Sequence, residues 1–217
     1  MRRRRFARTA AIAAALALGV ASGAALAGTG GFPWSGTSTL YAADGKAMTW
    51  SLRADGADVV IEGKSPAWTV SHRAHADGTP VSTTKTKGGR TATVAYRAGG
   101  ATYAWKDGAE AGGGEIDAKG LWDGDALEAR LAAFPWAAGK VVSFSVIDTD
   151  SEDGDVYEMN AKYIGLETCK AGPCHHVKVA LAGIKAGFGP KWHFWFGATP
   201  GAPYLKFQGR IGTFEAR

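Results

Sequence analysis

Short runs of alternating apolar and polar residues recur along most of the chain. Early examples are AMTWSLRA, DVVIEG, AWTVSHRA, TATVAYRA and ATYAWKD. The pattern continues through residues 141–149, 156–163, 174–182, 192–196 and 204–209. Alternation with a period of two places successive side chains on opposite faces of a strand, and regular short spacing is typical of an antiparallel meander. The sequence therefore predicts a mainly β protein.

Asp-Gly dipeptides separate many of these runs and predict tight turns between them. They occur at Asp44-Gly45, Asp55-Gly56, Asp77-Gly78, Asp107-Gly108, Asp123-Gly124 and Asp153-Gly154. Asp-Gly suits the two positive-φ positions of a type I′ turn, which commonly links antiparallel strands. We therefore expect hairpins at these positions.

One segment, WDGDALEARLAAFPW, has helical rather than strand periodicity. Leu127, Leu131 and Phe134 recur at helical spacing, Asp125 is a candidate N-cap, and Pro135 is a stop signal. We expect a helix of three to four turns at most, at one end or on one face of the sheet. The predicted fold is a single curved antiparallel sheet or half-barrel with one short helix.

The aromatic strand KWHFWFG carries large side chains on both faces. Trp192, Phe194 and Phe196 point to one side, and His193 and Trp195 point to the other. A sheet with one solvated face does not normally show this pattern. Either helix and loops cover both faces of the sheet, or a half-barrel encloses an apolar cleft on its concave side.

Tyr103 and Trp105 share one face of an earlier strand in the same way. Under the cleft interpretation, both are ligand-binding candidates, together with Trp192, Phe194 and Phe196. The ligand expected there is a lipid, an acyl chain or another apolar component of the cell envelope. The alternative is a structural or protein-interaction domain with a filled core and no ligand.

The first 27 residues have the features of a signal peptide. Arginines occupy positions 2–5 and 8, an apolar stretch covers 10–20, and Ala25-Leu26-Ala27 matches the A-x-A cleavage pattern. The apolar stretch is shorter than the roughly 20 residues that a membrane span needs. We therefore expect cleavage after residue 27, a single β domain over 28–217, a periplasmic or secreted location, and no integral membrane segment in the mature protein.

Removal of this segment changes the charge of the chain. The precursor has 25 basic and 20 acidic residues, and residues 1–27 contain five arginines and no acid. The mature chain therefore has 20 of each and no net charge. A nucleic-acid-binding surface would need clustered excess lysine and arginine, so the composition argues against a nucleic-acid partner.

The two cysteines, Cys169 and Cys174, flank the sequence KAGP. Gly-Pro favours a turn, which would bring the cysteines to facing positions in an antiparallel pair. In an exported chain with two cysteines, a disulfide is the default. Neighbouring His175 and His176 leave opposite faces of a strand, so a metal site would need ligands from elsewhere, and we predict no metal or other cofactor.

The sequence DTDSEDGDVYE approaches a calcium loop, with acids at its first, third and fifth positions, but Asp153 stands where the sixth position requires glycine. We therefore expect an exposed acidic hairpin tip. The chain contains no G-x-S-x-G, H-E-x-x-H or phosphate-binding glycine motif. These observations favour a binding protein over an enzyme, and we assign no catalytic residues.

The C-terminal two thirds of the chain, from about Asp77 to Arg217, resembles domain-of-unknown-function family 3108, a family of exported bacterial proteins. The matching segments are LWDGDALEARLAAFPWAAGK, IGLETCKAGPCHHVKVAL and WHFWFGATPGAPYLKFQG. The resemblance implies a half-barrel similar to bacterial lipoprotein carriers, and it implies no catalytic residues. Cys169 departs from the single-cysteine pattern of the family.

Overall fold

The computed structural model describes residues 36–183, 189–198 and 204–216. Within these residues, fifteen strands form one sheet, and a single α-helix interrupts them. The predicted signal peptide and its cleavage position lie outside the described residues.

In the N-terminal half, the strands are β1 Gly36–Ala42, β2 Ala47–Asp55, β3 Asp58–Lys64, β4 Trp68–His75, β5 Pro80–Lys87, β6 Arg90–Arg97, β7 Gly100–Asp107 and β8 Glu110–Asp117. The remaining elements are β9 Leu121–Trp122, α1 Leu127–Ala133, β10 Val141–Ile147, β11 Val156–Cys169, β12 Gly172–Leu181, β13 Lys191–Gly197, β14 Tyr204–Gly209 and β15 Gly212–Glu215.

The sheet consists of two meanders that meet where β1 pairs with β15. Neighbouring strands are antiparallel except for β9 and β10, which are parallel. This arrangement confirms the predicted single curved sheet with one short helix. It leaves β8 and β9 at the two edges of the sheet.

The two edge strands are consecutive along the chain, and this connectivity forces the sheet to curve. Only residues 118–120 separate β8 from β9. Four consecutive Cα–Cα steps span at most about 14 Å, so the two edges cannot lie far apart. The sheet is therefore open in its hydrogen bonding but barrel-like in shape.

The tight turns differ in type from the prediction. Gly45, Gly56, Gly78, Gly108 and Gly154 have positive φ, as the Asp-Gly pattern indicated, whereas Gly124 does not. Among the described residues, no non-glycine residue has positive φ, so the type I′ assignment is wrong. In the two-residue loops after Asp55 and Asp107, glycine takes the first central position, which is the pattern of a type II′ turn.

Helix α1 packs against the concave face of the sheet and completes the main core. Leu127 and Leu131 of α1 and the neighbouring Phe134 are buried with apolar residues of both meanders. The helix has seven residues, about two turns, which is within the predicted limit of three to four turns. Its N-cap position is Ala126 rather than Asp125, because the Asp125 carboxylate instead contacts Lys85 and Thr149.

Within the described residues, no helix is long and apolar enough to cross a membrane.

Candidate functional site

A cavity of about 570 Å³ lies between helix α1 and the concave face of the sheet. Its volume falls within the range of small-molecule binding pockets, about 300–1,000 Å³. The exposed residues Asp150, Arg210 and Ile211 belong to its lining, so they mark where it meets solvent.

Most of the cavity wall is apolar and comes from both meanders. Trp50 and Trp68 contact each other on one side, with ring centroids 5.6 Å apart. The other apolar lining residues include Met48, Val70, Leu127, Val146, Ile147, Tyr157, Met159, Leu181, Trp192, Phe194 and Phe207. Apart from Ile147, which follows Val146 at the end of β10, the β residues in this set lie on the inward-facing side of their strands, so the curvature of the sheet brings them around one space.

The polar part of the wall centres on Lys85 of β5. Its Nζ lies 2.8 Å from an Asp125 carboxylate oxygen, 3.1 Å from an Asp150 carboxylate oxygen and 3.2 Å from the Thr149 hydroxyl. Burial alone would lower the pKa of Lys85, but the two carboxylates outweigh it and the pKa is raised. The ammonium group of Lys85 is therefore charged, and its three protons have partners.

Glu128 of helix α1 lines the same cavity but is not part of this network. It is 8% exposed, and among the described residues the only hydrogen-bond partner of its carboxyl is its own backbone N–H. Burial, and to a smaller extent the charges of Asp125 and Asp123, raise the pKa of Glu128 to about 8. Glu128 is therefore mostly a neutral carboxylic acid at pH 7.

The loop between β10 and β11 forms one side of the cavity and docks onto β6 and β7. The Tyr103 hydroxyl donates to the carbonyl oxygens of Thr149, at 3.1 Å, and Ser151, at 2.7 Å. The Trp105 indole N–H donates to the carbonyl oxygen of Glu152 at 2.8 Å. The acids at positions 150, 152, 153 and 155 are exposed, as predicted for an acidic hairpin tip. The prediction missed that side chains of the opposite meander hold the backbone of this loop against the sheet.

The structure divides the five predicted ligand-binding residues into three groups. Trp192 and Phe194 line the cavity. Phe196 lies in the adjoining core, where its ring is 5.5 Å from that of Tyr204. Tyr103 and Trp105 are not among the described lining residues and instead anchor the 148–155 loop. Sharing a strand face was therefore not enough to place all five in one site.

The predicted hairpin disulfide joins Cys169 and Cys174 at the tip of β11 and β12. Cys174 is fully buried beneath Trp195 and Leu205 on the convex face of the sheet. These residues explain how an aromatic strand can carry large side chains on both faces. The concave face is covered by α1, and the convex face carries a small apolar cluster of its own.

Next to this cluster, a carboxylate and two imidazoles form a chain of hydrogen bonds. Glu167 Oε1 lies 2.6 Å from His176 Nδ1, and His176 Nε2 lies 2.7 Å from His193 Nδ1. The other Glu167 oxygen accepts from the Trp195 indole at 2.8 Å. His176 is only 7% exposed because Trp195 stacks on it.

A second buried imidazole, His72, lies 2.5 Å from an Asp123 carboxylate oxygen, which also accepts from Thr83. Burial raises the pKa of Asp123, but attraction to His72 and these hydrogen bonds outweigh it, so the pKa is lowered. Neither His72 nor His193 is among the described cavity-lining residues. Within the described residues, no three His, Cys, Asp or Glu side chains form a group that could hold a metal ion.

Comparison with known proteins identifies a similar fold but no family. No family model matches the chain, and no curated protein matches it significantly. A β-barrel-like protein of domain-of-unknown-function family 1849 from Brucella abortus has a TM-score of 0.53 at 10% identity, covering 84% of this chain and 93% of that one. This similarity shows a β-barrel-like fold shared with a protein of unknown function.

A candidate lipoprotein from Parabacteroides distasonis ATCC 8503 also aligns, at 12% identity over 85% of this chain and 94% of that chain. Its TM-score is 0.27, and we base no argument on it.

Sequence reasoning did not identify the charged part of the site. Lys85, Asp125 and Glu128 come from β5, the segment before α1, and α1 itself, and only the tertiary fold brings them together. One local signal was present, because Glu128 follows Leu127 in the short, largely apolar helical segment. An acid so close to the apolar stripe of a short helix is a candidate for burial.

Proposed function

We propose that this protein is an exported β domain that binds an apolar ligand, of the lipid or acyl-chain class, in the cavity between α1 and the concave face of the sheet. The observation that carries the proposal is the cavity itself: about 570 Å³ with a wall dominated by tryptophan, phenylalanine, methionine and aliphatic side chains. Such walls, with a few placed polar groups, are typical of small-molecule sites. The cavity favours ligand binding over the alternative of a filled core.

Export is part of the proposal and rests on two observations. The first 27 residues have the pattern of a signal peptide, and the two cysteines form a disulfide, which is favoured in oxidising compartments. The resemblance to family 3108 agrees with export and with a barrel-like carrier. We propose membership of that family as a hypothesis consistent with the β-barrel-like fold.

A binding role is preferred to catalysis because of how the polar groups are distributed. Carboxyl groups meet in the cavity, but the imidazoles of His72 and His193 do not join them among the described lining residues. The described wall also contains no serine or cysteine nucleophile. A hydrolase built from such groups would need them within hydrogen-bond reach of one another.

The proposal is tested with Nile red, an uncharged apolar dye, and its displacement by dodecanol. Val70→Phe and Leu181→Trp enlarge side chains of the cavity wall and should weaken dye binding about tenfold or more by occupying the space. Val141→Phe and Leu166→Trp are matched controls, since Val141 is 51% exposed and Leu166 is 62% exposed outside the described lining. Equal dye binding by wild type and both cavity variants would overturn the proposal.

A further inference from the structure

The carboxyl group of Glu128, which has no partner among the described residues apart from its own backbone N–H, indicates which polar group the ligand carries. Buried polar side chains normally have hydrogen-bond partners, since an unpaired one loses its hydration without compensation. Glu128 is more than nine-tenths buried, lines the cavity and has no side-chain partner among the described residues. A ligand in the cavity is the natural source of that partner.

The charges around the cavity favour a cation over an anion. Its acidic lining residues are Asp125, Glu128, Asp148 and Asp150, against Lys85 and Arg210. Arg210 is exposed at the turn between β14 and β15. Lys85 is already shared by two carboxylates and a hydroxyl, so it has no free proton for an anionic head group.

Two tryptophans in the cavity wall also favour a cationic ligand. Trp50 and Trp68 lie in the wall of the cavity, and indole faces attract ammonium groups. A carboxylate or phosphate head group would instead be placed among like charges in a poorly hydrated space.

We propose, building on the proposed binding of an apolar ligand, that the ligand is an amphiphile with an ammonium group on an apolar chain, and that Glu128 is its counter-ion. Binding converts the neutral acid into a carboxylate paired with the ammonium group. The proton lost from Glu128 is released to solvent. The acids that face Glu128 are Asp125, which is paired with Lys85, and Asp123, which is paired with His72, and their negative charge favours entry of the cation. The buried hydroxyl of Tyr204 is the third titratable group near Glu128.

Competition among three ligands of equal chain length tests this inference separately from the proposed function. Dodecylamine, dodecanol and dodecanoate are titrated at pH 7 against the Nile red complex of the mature protein, below their micelle concentrations. We expect dodecylamine to bind about tenfold or more tightly than either of the others. Dodecanoate or dodecanol binding as tightly as the amine would overturn the inference but leave the proposed function standing. Failure of all three ligands and the dye to bind would overturn both.

Substitution of the counter-ion gives the second arm of the experiment. Glu128→Gln should weaken dodecylamine binding about tenfold or more and leave dodecanol binding within about threefold. Glu62→Gln is the matched control, because Glu62 is an exposed acid outside the described lining. An unchanged preference for the amine in Glu128→Gln would contradict the proposed counter-ion.

A measurement on the wild type alone covers the case in which Glu128→Gln does not fold. Because Glu128 must ionise to pair with the cation and its pKa is about 8, dodecylamine affinity should rise about 50-fold from pH 6 to pH 8. Dodecanol affinity should stay nearly constant over this range. An amine affinity that is independent of pH would count against the inference.

Discussion

Replacing Glu128 with glutamine should remove a large part of the pH dependence of stability. In the unfolded chain a glutamate ionises near its ordinary pKa of 4.5, whereas in the fold burial raises the pKa of Glu128 to about 8. Between these values the folded state holds a proton that the unfolded state has released. The contribution of Glu128 to folding stability is therefore greatest below pH 4.5 and is lost as the pH rises through 8.

The size of this effect follows from the difference between the two pKa values. Each unit of pKa difference corresponds to about 1.4 kcal/mol, so the contribution of Glu128 to the free energy of unfolding should fall by about 3 kcal/mol between pH 4 and pH 7. The loss should reach about 5 kcal/mol above pH 9. Glutamine does not titrate, so the variant lacks this component.

The assay is urea unfolding of wild type, Glu128→Gln and the exposed control Glu62→Gln at several pH values from 4 to 9. The informative quantity is the difference in unfolding free energy between each variant and wild type, since other titrating groups largely cancel in it. For Glu128→Gln, this difference should shift by several kcal/mol in favour of the variant as the pH rises. A difference that stays constant within about 0.5 kcal/mol would refute the burial of an unpartnered carboxyl group.

Three further substitutions test other parts of the structure. Cys169→Ser with Cys174→Ser opens a six-residue loop and should lower the free energy of unfolding by about 2 kcal/mol relative to oxidised wild type in chemical denaturation. Reductant-treated wild type should match the variant, and a variant as stable as oxidised wild type would contradict a stabilising disulfide. Tyr103→Phe removes the hydroxyl donor that anchors the 148–155 loop, so it should lower the free energy of unfolding by about 1–2 kcal/mol and speed amide hydrogen exchange in that loop. Unchanged amide exchange would contradict the anchoring role. Gly63→Ala places a methyl group 2.5 Å from the buried ring of Trp50 and should lower the free energy of unfolding by about 1–3 kcal/mol in urea. A variant as stable as wild type would show that Trp50 can move to accommodate the methyl group.

Periodicity predicted the fold well because the alternation of apolar and polar residues in each strand shows which side chains face the core. The alternation in β2 and β12 marks which side chains face the core, and the burial of Trp50, Val177 and Val179 agrees with it. The disulfide could also be predicted from the sequence, because a short turn determines which residues face each other. Both features depend on residues close together in the sequence, so they can be predicted from it.

The site was harder to predict from the sequence because it depends on contacts between residues that are far apart along the chain. Nothing near Tyr103 indicates that its hydroxyl reaches the 148–155 loop, 46 to 48 residues away. Likewise, the burial of Asp125 follows from its contact with Lys85 across the concave space rather than from its position before the helix. The sequence alone therefore predicted an apolar cleft but not its charged residues.

Native mass spectrometry of the protein purified from the periplasm without detergent tests the central claim most directly. Wild type and the exposed control Val141→Phe should each retain one small apolar molecule per chain, released on unfolding, whereas Val70→Phe should lose it because the larger ring fills the cavity. Wild-type protein that carries no ligand and acquires none from added dodecylamine or dodecanol would contradict the account.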